Sequence, residues 1–338
     1  EWLGKPGRVN RKDVQSKIFK KIRDPRNRED LFKAMEKYSF RERLFCWKAL
    51  TEEVVKDDNL IDKAIVDSSL EVRQWAARNL SQSQHFRNRL STLLADRSVR
   101  VRYAALKAIP QVGFSQYRQF CEVAIFDDSK PIRVYARFML RVHGDEHHED
   151  KYRQRLSELG DNANPGLLAG LAETGKKEDV YLIQKFTRHK NPKIRASALY
   201  GLKLLEAEGV DNLYCLGLQD DNTKVRNTCV AILKSGYSHL RPELEVLLKD
   251  GNVKSQKAIL RVLRHYGVLD SLKAILLVLT EPYEELHETA WDYLVSWHHK
   301  HATNLWVSYS DDTYDQTMKL LDKLEKSKIE SPSHALHA

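Results

Sequence analysis

Apolar residues recur along this chain at helical rather than strand spacing. Phe86, Leu90, Leu93 and Leu94 fall on one face of a 3.6-residue period, and Leu272, Ile275, Leu276 and Leu279 repeat the stripe far downstream. Each such stripe is followed by a turn, an acidic or polar residue, and a second segment opened by a Val-Arg-like pair. Four openings are nearly identical: Asp67 before Val72-Arg73, Asp96 before Val101-Arg102, Asp127 before Ile132-Arg133 and Asp220 before Val225-Arg226, with each acid six residues ahead of its arginine. In the second segments Ala76, Ala105, Ala136, Ala198 and Ala290 stand three residues after that position, and Leu80, Ile109, Leu140, Leu202, Leu233 and Leu294 stand seven after. A small residue lets two helices approach, and a large one fills the layer between them.

With weaker copies included, the position runs Arg43, Arg73, Arg102, Arg133, Leu168, Arg195, Arg226, Gln256 and His287, at separations of 30, 29, 31, 35, 27, 31, 30 and 31. So steady a period predicts stacked helix pairs. A two-helix unit of about 30 residues cannot bury its own apolar face, so the units are expected to lean on one another in a curved solenoid, one elongated domain. Helix starts are also legible. Ser68 with Glu71 reads as a capping box, and Asn164-Pro165 and Asn191-Pro192 place a capping side chain before a proline at the first helical position.

The pattern Asp-x-x-x-x-Val-Arg-x-x-Ala-x-x-x-Leu resembles the HEAT repeat, in the short form named after phycobiliprotein-lyase subunits, over roughly residues 30 to 300. The resemblance implies an all-α, armadillo-like fold, a right-handed α-α superhelix of about nine two-helix repeats. It also implies that the Asp and Arg residues form a structural ladder within and between turns, carried here by Asp67 with Arg73, Asp96 with Arg102, Asp127 with Arg133, and Asp220 with Arg226. Lys37 and His189 replace the acid before Arg43 and Arg195, and the copy around Leu168 lacks both ladder residues. The ladder is therefore expected to be interrupted there, with a longer connection or a change of curvature near 143–166.

Second helices of such arrays line the concave side, so the position five after each arginine is expected to face a groove: Lys48, Arg78, Lys107, Phe138, Glu173, Tyr200, Ala231, Arg261 and Asp292. With Trp75, Tyr103 and Tyr135 nearby, its first half sets cations beside flat rings, which suits an acidic peptide or a single-stranded nucleic acid. Packing between repeats is the competing role for Trp75 and Tyr135. Lys48, Trp75, Arg78, Tyr103 and Lys107 are the candidate partner-binding residues.

Charge adds a second candidate. Residues 1–48 hold 15 Lys or Arg against 7 Asp or Glu, a balance of +8 out of the chain's +9. Lys5, Arg8, Arg11, Lys12, Lys17, Lys20, Lys21, Arg23, Arg26 and Arg28 concentrate that excess, which would attract phosphates or an anionic membrane surface. A solvated cap that keeps the array's end from stacking onto another molecule explains the same charges. No apolar run approaches the roughly 20 residues of a bilayer span. The chain opens at Glu1 without Met, so a preceding signal peptide or anchor is left open.

Enzyme chemistry finds little support. Bilin lyases and alkylpurine DNA glycosylases use similar repeats, and Trp47, Trp75, Trp291 and Trp297 supply rings here, but no spacing of Trp, Asp and Arg maps onto the glycosylase cleft. Four cysteines make no disulfide framework or paired metal spacing, and Cys46 and Cys229 simply fill the small position. His298, His299 and His301, and His143 with His147 and His148, read as solvated runs, because adjacent helical side chains diverge while zinc needs about four converging ligands. No Gly-rich phosphate loop, nucleophile elbow or His-Glu-x-x-His motif occurs.

The expected organisation is a basic cap over 1–30, the array over 31–300 with an irregular copy near 143–175, a C-terminal cap over 301–325, and a disordered tail over 326–338. Within the cap, Met318, Leu320, Leu321 and Leu324 suggest a helix, and the stretch from Ala302 with Trp306 and Tyr309 suggests a loop covering the exposed end. The expected function is a cytoplasmic, non-enzymatic scaffold without cofactor or metal that binds a protein. Nucleic-acid binding, and a module held at a membrane by the basic segment or by one preceding Glu1, are the alternatives.

Overall fold

The computed structural model describes residues 11–54, 57–79, 81, 86–111, 113–301 and 310–327, and these are helical, with no β-strand among them. Lys5, Arg8, Leu80, the 302–309 stretch with Trp306 and Tyr309, and the tail from 328 lie outside the described residues. The chain divides into two compact units, Glu1–His148 and Glu149–Ala338. The division falls inside the 143–166 stretch that the spacing marks as irregular.

The first unit holds α1 (Arg11–Arg23), α2 (Arg28–Met35), α3 (Phe40–Ala49), α4 (Thr51–Val54), α5 (Asp58–Ile65), α6 (Leu70–Asn79), α7 (Phe86–Leu94), α8 (Val99–Ala108), α9 (Phe114–Ala124) and α10 (Lys130–Val142). Helices pair as the period requires: α5 packs on α6, α7 on α8 and α9 on α10. Second helices form one layer, α3 on α6, α6 on α8 and α8 on α10, while α5, α7 and α9 form the other.

In the second unit α11 (His148–Leu159) precedes α12 (Pro165–Thr174), α13 (Val180–Gln184), α14 (Pro192–Leu204), α15 (Asp211–Leu218), α16 (Thr223–Leu233), α17 (Arg241–Asp250), α18 (Val253–Leu263), α19 (Val268–Thr280), α20 (Glu284–His301) and α21 (Asp311–Lys326). Here α12, α14, α16, α18 and α20 pack each on the next, and α13, α15, α17 and α19 back the last four of them. Thus 143–166 is no long loop. Only 143–147 links α10 to α11, and the extra length is taken up by α11 and the 3-10 turn Gly160–Asn162.

Side-chain size explains the layers. Cys46, Ala76, Ala105, Ala136, Ala198, Cys229 and Ala290 are all buried, and so are Ile109, Leu140, Leu202 and Leu233 four residues later. The irregular copy solves the packing differently. Leu168 stands where an arginine would, fully buried beside Leu167 and Leu171. Close approach there is given by Gly170, whose missing side chain is replaced by the edge of the Tyr152 ring from α11, and by Gly201 of α14, where an added Cβ would lie 3.2 Å from the Ala172 Cβ.

Helix starts follow local chemistry with one correction. Asn164 and Asn191 accept from the backbone N–H groups of Leu167 and Lys193 ahead of their prolines. At α6 the cap is Ser69, not Ser68: its Oγ accepts from Val72 N–H, and Asp67 Oδ1 accepts from Ser69 N–H at 2.7 Å. Ser68 instead receives the Arg43 guanidinium at 3.0 Å. In α21, which packs on α19, Thr313 and Thr317 are the buried residues, while Met318 is exposed. No helix of the described residues is long and apolar enough to cross a membrane.

Candidate interaction surface and the ladders behind it

Arg73, Arg102 and Arg195 each do two jobs. Arg73 donates from Nη1 to the Asp67 backbone carbonyl at 2.7 Å and from Nε to the Asp96 carboxylate at 2.6 Å. Arg102 repeats this with Asp96 O at 2.9 Å and Asp127 Oδ2 at 2.7 Å, and Arg195 with His189 O at 2.8 Å and Asp220 Oδ2 at 2.7 Å. Arg43 pairs with Asp67 at 3.3 Å. The ladder thus has a link within a repeat and a link between neighbours, and the two use different groups. Within a repeat the arginine takes a carbonyl left open past the end of the first helix, and the ion pair runs forward to the next repeat's acid.

This division explains which substitutions the ladder tolerates. The local bond needs only a carbonyl at the residue before the turn, so His189 serves Arg195 as well as an aspartate would. Arg133 and Arg226 keep it, to Asp127 O at 2.7 Å and Asp220 O at 2.6 Å. Gln256 reaches a different carbonyl, donating to Leu248 O eight residues back in α17 at 3.0 Å, while the His287 ring approaches Glu281 O, six back, at 3.4 Å. Leu168 alone among the nine positions has no polar group to offer.

Each carboxylate is also held by its own helix. Burial presses the Asp96 pKa upward, but Arg73 and the Ser98 N–H outweigh it and hold the carboxyl below its ordinary value. Asp220 sits in the same balance, with Arg195 and the Asn222 N–H prevailing over burial. A second set of ion pairs joins successive repeats through the first-helix side: Arg118 with Asp145 at 2.7 Å, Arg153 with Asp179 at 2.8 Å, and Arg241 with Asp270. Sequence reasoning missed these. Their separations of 27, 26 and 29 residues lie near the repeat period, which is the one signal that marks them. Arg153 with Asp179 crosses the irregular copy, so that copy is not without a polar link.

On this frame the fifth position after each arginine lies at the surface. Lys48, Arg78, Lys107 and Phe138 are all exposed in the first unit, as are Tyr200, Ala231 and Asp292 in the second, with Glu173 and Arg261 half-buried. Lys107 Nζ sits 5.0 Å from the Tyr103 ring centroid and 5.9 Å from that of Tyr135, and those two rings meet edge to face at 5.7 Å. Phe138 extends the cluster 6.3 Å from Tyr135. Trp75 has a different part: it stacks at 6.2 Å on buried Trp47, whose indole N–H donates to Asp67 at 3.3 Å. Trp75 therefore joins α6 to α3, and Tyr103, half-buried, both packs and holds Lys107.

The basic N-terminal candidates divide. Arg23 donates to Ala49 O at 3.0 Å and Arg28 lies 3.7 Å from Asp57, so these two tie α1 and α2 to later helices, while exposed Arg26 pairs only with its near neighbour Asp24 at 2.7 Å. Lys17, Lys20 and Lys21 are exposed. The cysteines are free, and burial, the leading cause in each, pushes Cys46 and Cys215 up to about 11 and Cys121 up to about 12. Such thiols are poor nucleophiles near neutral pH. Trp297 donates to Val268 O at 3.0 Å, and His143 stacks on Phe114 at 3.8 Å. Among the described residues no three His, Cys, Asp or Glu are grouped to hold a metal ion.

No family model matches the chain, and no curated protein matches it. Among solved structures it is similar to the X-ray structure of Escherichia coli YibA, with 15% identity over 96% of this chain and 100% of that one. The TM-score is 0.26.

Proposed function

We propose that this chain is a non-enzymatic, cytoplasmic HEAT-repeat scaffold, a right-handed α-α superhelix of about nine helix pairs, that binds another protein along its second-helix face. The observation that carries the proposal is the exposed row Lys48, Arg78, Lys107 and Phe138, with Lys107 held over two tyrosine rings. A buried polar ladder fixes the helices while leaving this row free to vary, which is how a repeat scaffold separates shape from specificity. Cations beside rings match acidic and aromatic groups on a protein partner, the chemistry of interface anchors.

The test is capture from an extract treated with nuclease, using the wild-type chain and Arg78→Glu/Lys107→Glu as paired baits. A stoichiometric protein retained by the wild type should bind the variant at least about tenfold more weakly, a loss of about 1.4 kcal/mol, with helicity and melting unchanged. Equal retention by both baits rejects the surface. Recovery that vanishes with nuclease and falls steeply with salt assigns the row to nucleic acid instead.

A further inference from the structure

In the second unit α16, α18 and α20 pack side by side and end in cations. Lys234 caps α16, Arg264 caps α18 and Lys300 lies in the last turn of α20, while Arg261, in the last turn of α18, donates to Asn227 of α16 at 2.8 Å. Among the described residues none of these four forms an ion pair, whereas Arg195, Arg241, Lys273 and Lys323 of the same unit all do. A helix C-terminus carries about half a negative charge, so three ends offset about one and a half of the three positive charges of Lys234, Arg264 and Lys300. The excess is felt locally: burial, then Lys234, Arg264, Lys300 and Arg261, hold the His265 imidazole below its ordinary pKa.

Geometry narrows the ligand. Axes of packed helices lie about 8–10 Å apart, which sets the spacing of Lys234 and Arg264 at matching places in helices of 11 residues, while Lys300, in the longer α20, lies about 7–8 Å further along its axis. An extended peptide advances about 3.3 Å per residue, which brings every third or fourth side chain into step. The nearby rings are already covered. Lys203 lies 5.0 Å from the Tyr237 centroid and Arg264 4.2 Å from that of Tyr293, leaving those faces closed to stacking bases. This favours a peptide over a single-stranded nucleic acid.

We infer that the C-terminal ends of α16, α18 and α20 form a docking surface for an extended acidic peptide with a carboxylate on about every third residue. The surface is separate from the Lys48 to Phe138 row and does not depend on its role. It would take the acidic segment of a partner as a second, ionic contact, strong at low salt and screened at high salt.

A fluorescein-labelled peptide of repeated Glu-Gly-Ser triplets, titrated with the full chain and read by anisotropy at low ionic strength, tests this. Wild type should bind it more tightly than a peptide of equal composition with its glutamates in one block, and more tightly than an oligothymidylate of equal charge. Lys234→Glu/Arg264→Glu/Lys300→Glu should weaken binding by about tenfold. Lys234→Gln/Lys300→Gln, which leaves Arg264 on Tyr293, should weaken it by about threefold with unchanged melting. Arg78→Glu/Lys107→Glu should leave it unchanged. No binding by wild type, equal affinity in the substituted chains, preference for the oligothymidylate, or a loss confined to Arg78→Glu/Lys107→Glu would each overturn the inference.

Discussion

Replacing Arg73 by alanine should cost the first unit about 3–5 kcal/mol, the range for removing one partner of a buried ion pair. The guanidinium is 7% exposed and the Asp96 side chain 9%, so the carboxylate left behind has little access to water. Two carbonyls, Asp67 O and Ser68 O, lose their donor as well. Urea unfolding followed by circular dichroism measures the loss. Arg73→Ala/Asp96→Ala should lose at least about 1 kcal/mol less than the two single changes added together, because the double change no longer strands a charge. Strict additivity would show that the two side chains do not act as a pair.

The same pair sets an acid dependence. Asp96 has a lowered pKa in the folded chain, so its contribution is fully present above its unfolded value near 4 and is lost as pH falls through the folded one. Wild type should therefore lose stability below about pH 4 more steeply than Arg73→Ala, in which that depression is largely gone. Parallel acid limbs for the two chains would show that Asp96 owes its low pKa to something other than Arg73.

The second large effect is expected from one methyl group. A Cβ at Gly170 would fall inside the Tyr152 ring edge, at Cε1, Cζ and the hydroxyl, and Tyr152 is fully buried. Gly170→Ala should destabilise the second unit by about 3 kcal/mol, the upper range for overpacking, despite alanine's better helix propensity of about 1 kcal/mol. Tyr152→Leu should itself cost stability, yet Gly170→Ala/Tyr152→Leu should be more stable than Gly170→Ala alone. Thermal melting decides it. A Gly170→Ala chain that melts at or above wild type would mean that α11 and α12 part without cost.

What could be read from the sequence was what repeats in type. Arginine, a small residue three positions on and a large one seven on recur in most copies, and among the described residues Ala76, Ala105, Ala136 and Ala198, with Ile109, Leu140, Leu202 and Leu233, are buried at matching places. Pair geometry was less legible. An acid six residues before its arginine suggests a local bond, but in a folded chain that distance brings the arginine to a carbonyl, and the carboxylate belongs to the arginine of the preceding repeat. The first-helix pairs stayed hidden because Arg118, Arg153 and Arg241 share no neighbouring motif. Spacing alone could not show that Trp75 lies on Trp47 either, since ring partners across helices leave no trace in either segment.

The irregular copy gives the converse lesson. Loss of the arginine and the acid predicts an interrupted ladder, with a longer connection or a change of curvature. The chain instead changes the means of cohesion there, from charged hydrogen bonds to close backbone approach over Gly170 and Gly201. A glycine in a helix reads as weakness until the ring that fills its place is known.

In the first unit each acid accepts from the arginine before it and from its own helix's N–H groups, so Arg43, Asp67, Arg73, Asp96, Arg102 and Asp127 form a relay with no free end inside it. Opening any one helix pair strips a partner from the next. Amide protons at Ser69, Ser98 and Ser129 should therefore exchange with solvent at one common rate, reporting a single cooperative opening rather than three independent ones.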